Sequence, residues 1–153
     1  MIIDDTDKKI LRLLQKDARL STKDVAAAVN MSISPCWRRI KRLEDAGLIE
    51  DYVAVLDRKK LGLGALAYVH VSLLDHTTAS IEAFDRLVQS DDEITECSAI
   101  TGDSDYVLKI VAQDPEDLER YLMQRLLGSG LVRSSNTNFV LRNTKSRGAL
   151  PVI

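Results

Sequence analysis

The sequence predicts an α+β protein in two parts: an N-terminal winged-type helix-turn-helix domain joined to a C-terminal ferredoxin-like βαββαβ domain. Three observations lead there. Three amphipathic segments crowd the first 46 residues, the last two only about three residues apart. From residue 66 onward, alternating apolar runs and helical stripes follow in the order β-α-β-β-α-β. Charge divides along the same line: residues 1–60 hold 13 Lys/Arg against 10 Asp/Glu, whereas residues 61–153 hold 8 against 13. A basic half attached to an acidic half suggests a polyanion-binding module carried by a part that does not touch the polyanion.

The helical half is punctuated clearly. In "DDTDKKILRLLQKDARLS", Ile10, Leu11, Leu13 and Leu14 recur at helical spacing. Asp4 is the expected N-cap, and Asp7 three residues on completes a capping box. "STKDVAAAVN" starts afresh with Ser21 as cap and Asp24 at the third helical position, and it ends near Asn30, a residue tolerant of left-handed backbone. Ser32 caps a third helix with Pro35 in its first turn, where a missing N–H costs nothing. That helix is expected to reach about Ala46, with Gly47 as its C-terminal cap. "LIEDYVAVLD" follows, with Ile49, Val53 and Val55 suited to a strand or short hairpin, and "RKKLGLG" reads as a linker or hinge. The expected divisions are residues 1–52, a strand and hinge over 53–65, and residues 66–153.

In the second half, "ALAYVHVSLL" sets Ala67, Val69, Val71 and Leu73 on one face and Tyr68, His70 and Ser72 on the other. "TTASIEAFDRLVQS" places Ile81, Phe84, Leu87 and Val88 on one helical face. "EITECSAIT", a turn at "GDSD" and "YVLKIVA" predict a hairpin. "DPEDLERYLMQRLLGSG" predicts a helix capped by Asp114, begun by Pro115 and ended at Gly128, and "VRSSNTNFVL" a last strand.

Composition excludes several classes. With 45% hydrophobic and 29% charged residues the chain has the profile of a soluble folded protein. No stretch approaches the ~20 apolar residues of a membrane-spanning helix, and the acidic start is unlike a secretory signal, so the cytoplasm is the expected compartment. Cys36 and Cys97 match no zinc or redox spacing, and neither His70 nor His76 has a neighbour at metal-ligand spacing; no metal and no cofactor are expected.

The chemistry concentrates in "MSISPCWRRIKRLEDAGLIEDY". From Ser32 to Leu43 there are four cations and no acid. With Cys36 set at 0° on a helical wheel, Ile40 and Leu43 fall within about 40° of it and form the buried stripe. Ser34, Arg38 and Lys41 face the opposite pole, with Arg39 and Arg42 along one flank. Trp37 lies on the other flank, placed as well to pack on a neighbouring helix as to touch a ligand. A tight turn followed by a basic helix fits the major groove of double-stranded DNA. Ser34, Trp37 and Arg38 are of types that reach base edges and phosphates, Lys41 faces outward with them, Arg39 and Arg42 lie towards the backbone, and the hydroxyls of Ser21, Thr22 and Ser32 can meet phosphates.

These residues carry a resemblance. "DARLSTKDVAAAVNMSISPCWRRIKRLEDAGLIEDYVAVLD" resembles the helix-turn-helix domain of the Lrp/AsnC family of feast/famine transcription regulators, and "ECSAITGDSDYVLKIVAQD" resembles the core of that family's effector domain. The likeness runs from about Asp4 to about Asn143. It implies a sequence-specific DNA-binding regulator, not an enzyme, although folds of this kind also occur as haem-pathway decarboxylases. It further implies homodimers, often four in a closed ring, with an amino acid or related small metabolite in the crevice between dimers. Matched by position, Thr101, Gly102, Asp103, Asp105, Tyr106 and Thr137 are the candidate effector residues. On physical grounds a carboxylate can take an ammonium group and glycine-turn N–H groups a carboxylate; equally, "TGDSD" has the composition of a plain hairpin turn.

Overall fold

The computed structural model describes residues 2–145 and 148–153. Two units result: residues 1–55 with 144–153, and residues 56–143.

In the first unit, helices α1 (Asp5–Lys16), α2 (Thr22–Ala28) and α3 (Ile33–Asp45) follow the expected starts and stops. Asp4 and Ser21 both form complete capping boxes, with Asp7 and Asp24 respectively. Asn30 takes φ 55° and Gly47 φ +69°, so each helix end turns where a left-handed residue was available. Ile10, Leu11, Leu14, Val25, Ala26, Cys36 and Leu43 form the core, with Ile40 partly buried against it. The Cys36 thiol is fully enclosed, and burial raises its pKa. The chain's last residues belong to this unit: Gln15 pairs with the backbone of Leu150 in both directions, donating at 3.3 Å and accepting at 2.7 Å. Arg12 donates to the Val152 carbonyl at 2.7 Å.

The expected strand after α3 is not formed. Residues 51–57 form no ladder, and Val53, Val55 and Leu56 are exposed. A strand needs an edge to pair with, and among the described residues none meets this one. The "RKKLGLG" segment, expected as a linker or hinge, carries local ties of its own. The Asp57 carboxylate accepts from the Lys59 and Lys60 N–H groups, and Arg58 donates to the carbonyls of Leu63 (2.6 Å) and Gly64 (2.7 Å), so residues 57–64 form a tied turn.

The second unit is a four-stranded antiparallel sheet in the order β2-β3-β1-β4, with β1 Ala65–Leu73, β2 Ile94–Ala99, β3 Tyr106–Ala112 and β4 Val132–Phe139. This is the ferredoxin-like order. Helices α4 (Thr78–Gln89) and α5 (Pro115–Tyr121) supply Phe84, Leu118 and Tyr121 to a core with Ala67, Val69, Val71, Leu73, Leu108 and Ile110. Tyr68 is exposed and His70 half-buried on the opposite face, as alternation predicts. Ser72 departs from that pattern: it is buried, next to the register shift between β1 and β4. The last helix also differs from expectation. After Tyr121 it opens into a π turn (Leu122–Leu126) and closes in a 3₁₀ turn ending at Ser129, with Gly130 at φ +74° reversing the chain.

Candidate nucleic-acid interface and effector site

The nine predicted DNA-contacting residues divide into two sets once α3 is seen against its neighbours. Arg39 Nη1 donates to Asp7 Oδ1 at 2.8 Å and to Asp4 Oδ2 at 2.6 Å. Arg42 Nη2 donates to the other Asp7 oxygen at 2.6 Å. These charge-assisted bonds raise the Arg39 pKa, the Asp7 bond foremost, and hold the Asp4 carboxyl below its ordinary value, there with the Asp7 N–H as the larger cause. Lys41 pairs along its own helix with Asp45 at 3.0 Å. Ser21 is engaged with Asp24, donating to its carboxylate at 2.6 Å and accepting from its N–H.

The second set is uncommitted. Arg38 makes no ion pair among the described residues, whereas each other cation of α3 does. Ser32 caps α3 through its backbone position without a side-chain hydrogen bond. Thr22, Ser34, Trp37 and Arg38 share a shallow surface notch of about 420 Å³ with Ile33, a residue the sequence reading passed over. Trp37 is exposed and so lies in the notch rather than in the core. The signal for Ile33 was its place four residues before Trp37, which sets the two side chains one turn apart on the same face.

Asp4 and Asp7 were legible as a cap and nothing more. Asp7 is 0% exposed, and the two arginines it holds come from residues 32 and 35 positions away. A buried carboxylate must be paired, and only the packing of α1 on α3 shows by what.

In the second unit the "GDSD" turn closes the β2–β3 hairpin: the Ile100 N–H donates to the Asp105 carbonyl at 2.9 Å. Thr101, Gly102 and Asp103 are exposed in it, with Gly102 at φ +119°. Asp105 is employed differently from a free ammonium acceptor. Its Oδ2 accepts from the Leu73 N–H at 2.7 Å and its Oδ1 meets His76 Nε2 at 2.9 Å. The His76 bond and then the Leu73 bond lower its pKa. Tyr106 turns under α4, stacking on Phe84 with ring centroids 4.7 Å apart, and borders a crevice of about 470 Å³ with Asp85, Gln89, Thr95 and Cys97. Thr137 stands on β4, separated from β3 by β1. One chain thus gathers Thr101, Gly102, Asp103 and Asp105 at a single turn and leaves Thr137 two strands away.

No helix among the described residues is long and apolar enough to cross a membrane. Residues 3–50 match the family described as winged helix-turn-helix DNA-binding, and residues 66–150 the Lrp/AsnC ligand binding domain. The chain is 34% identical to the transcriptional regulator AzlB of Bacillus subtilis, over 99% of this chain and 97% of that one. It is 33% identical to the leucine-responsive regulatory protein of Salmonella typhimurium, over 98% and 92%. Among solved structures, a transcriptional regulator of Neisseria meningitidis in complex with L-Met superposes with a TM-score of 0.94 at 35% identity, covering 98% of this chain and 97% of the other. These relatives are regulators, not enzymes. A helix-turn-helix head of this geometry, an antiparallel four-stranded body and matches spanning both halves make the chain a member of the Lrp/AsnC family, a DNA-binding transcriptional regulator with a small-molecule ligand-binding domain.

Proposed function

We propose that the N-terminal half of α3 reads a specific DNA sequence, that an amino acid or closely related metabolite bound at the 101–105 turn alters assembly or DNA affinity, and that the working unit is a cytoplasmic homodimer that associates further, as far as an octamer. The observation that carries the reading is the division of cations on α3. Arg38 is left to meet bases while Arg39 and Arg42 are held by Asp7 and Asp4. Arg39 and Arg42 lie along the flank that borders a bound duplex and Lys41 at the outward pole, where each remaining exposed N–H can still reach a phosphate.

For the effector, Asp103 is the exposed carboxylate of the turn and Gly102 supplies a backbone N–H at positive φ, so ammonium and carboxylate both find a partner. Asp105 acts through position, splicing the turn to the end of β1, and Tyr106 through packing. Thr137 joins the site when a second copy brings its own β4 to the turn. The L-Met complex of the Neisseria relative supports an amino acid as ligand class. Two features support pairing of copies: the exposed, β-prone 52–56 stretch, and the sheet face bearing Tyr68 and His70 that carries no helix.

The test is genomic footprinting of the full chain with and without a panel of twenty amino acids. Discrete protected sites that shift in occupancy with one amino acid are expected. Uniform coverage with no preferred site would replace this reading with that of an architectural DNA-wrapping protein. Thermal unfolding with the same panel reads the effector directly, since a ligand at 100-fold its Kd adds about 2.7 kcal/mol.

A further inference from the structure

We infer that Ile33 and Trp37 form a receptor for the C5-methyl group of thymine, so that the half-site carries an obligatory thymine beside the base read by Arg38. The inference rests on the DNA reading above and adds what that reading lacks, an apolar contact with a defined chemical target.

The two side chains are the exposed large apolar groups of α3, at 52% and 56% exposure, although the helix has a well-formed buried stripe of its own. They stand at positions i and i+4 in the first turns and so form one continuous apolar strip. Thr22 from α2, Ser34 and Arg38 complete the lining of the notch. What could fill it is limited by the charges around it. The first turn of α3 holds no acid, in contrast with the first turns of α1 and α2. The acids of α3, Glu44 and Asp45, sit at its far end and are engaged by Lys41. An unpaired guanidinium, free hydroxyls and a helix N-terminus therefore surround an apolar patch, and that combination complements a polyanion with a small apolar group on its surface.

Double-stranded DNA offers one such group in the major groove. Guanine, adenine and cytosine edges present only donors and acceptors, whereas thymine adds its methyl. A methyl fits between an isoleucine and the face of an indole, and its burial there recovers apolar contact that both side chains lack in the free protein. With Arg38 reaching the adjoining pair, the notch reads methyl next to purine.

The experiment separates the methyl from every other property of the base. A duplex enriched by the full-length protein from a random-sequence library is resynthesised with deoxyuridine in place of each thymidine in turn, and affinities are compared. At one thymine per half-site the wild type is expected to bind the uracil duplex about 4-fold more weakly, the equivalent of one buried carbon. Changing both half-sites multiplies the loss to about 16-fold. The same position as cytosine and as 5-methylcytosine repeats the comparison in a G·C pair, with 5-methylcytosine the tighter. Ile33→Ala and Trp37→Ala, each made singly and each checked for wild-type melting, should bind thymine and uracil duplexes within a factor of 1.5. Equal wild-type affinity for thymine and uracil at every position overturns the inference, as does a methyl effect that persists undiminished in both variants. Failure of the library to yield any enriched sequence would instead overturn the DNA-reading assignment on which it rests.

Discussion

Asp7 and Arg39 meet at 2.8 Å with the Asp7 side chain 1% exposed, and the second oxygen of the same carboxylate holds Arg42 at 2.6 Å. One buried acid on the first helix therefore fixes two basic residues of α3, the helix proposed to face DNA. It sets the pitch of α3 on α1 and takes two charges partly out of the pool available to phosphates.

Replacing Asp7 by Ala should cost stability and raise indiscriminate binding. Two guanidiniums lose their partner in a partly buried setting, for a loss of about 3 kcal/mol by denaturant titration. On a random duplex the freed cations should steepen the log–log salt dependence by about 0.9 for each phosphate gained. An unchanged slope would show that Arg39 and Arg42 do not face the backbone.

Arg38→Ala and Arg42→Ala should fail in different ways. Arg38 makes no ion pair among the described residues, so its loss leaves melting within about 0.5 kcal/mol of wild type. The same variant loses about 1–3 kcal/mol of preference for the specific over the random duplex. Arg42→Ala should weaken both duplexes alike and lower the melting midpoint as well, because Asp7 keeps only Arg39. Parallel losses in both variants on both duplexes would remove the distinction.

If the proposed dimer neutralises about 6–8 phosphates, the specific-binding salt slope should lie near −5 to −7. Equilibrium titrations across a fourfold salt range read it. A slope shallower than about −3 would be incompatible with two heads engaging one site.

Acid should loosen the second unit through Asp105. Its folded pKa is depressed, with the His76 bond as the main cause, so its contribution is present above the ordinary carboxylate range and is lost as pH falls through the folded value. Asp105→Asn should reduce that acid-side slope in a stability–pH profile while leaving the chain folded at neutral pH. A profile identical to wild type would show the His76–Asp105 pair to be silent.

Gly64→Ala and Gly47→Ala test two different demands on backbone. A Cβ at Gly64 would lie 2.7 Å from the Gln113 carbonyl oxygen, which accepts the Gly64 N–H at 3.0 Å, so strand β1 must shift at its start. At Gly47 the space is open and only the φ of +69° resists, for about 1 kcal/mol. Thermal unfolding should rank Gly64→Ala as the more damaging.

Much of the architecture was legible because the chain writes it locally. Each of the first three helices opens on a Ser or Asp cap, α2 and α3 close near Asn30 and Gly47, and β1 alternates from Ala67 to Val71. The stretch after α3 was misread for a physical reason. Tyr52, Val53 and Val55 have strand propensity, but a strand is completed by a partner edge, and propensity says nothing about where that edge lies. Glycines and cations suggest a linker or hinge at 57–64, but sequence alone does not disclose that Arg58 folds back on two carbonyls there.

The same limit governs the site. Periodicity alone assigned Cys36, Ile40 and Leu43 to the core and Arg38 to the outer face, since a helix of known register has only one way to turn. The fates of Arg39 and Arg42 depended on which side chains α1 presents to them, and Thr137 was separated from its proposed companions by strand order. Contacts within a turn or two are decided by bond geometry and are readable in one dimension. Contacts between elements far apart in sequence exist only once the apolar faces have packed, and in this protein those contacts decide that Arg39 and Arg42 are paired with acids of α1 and its cap while Arg38 has no ion pair among the described residues.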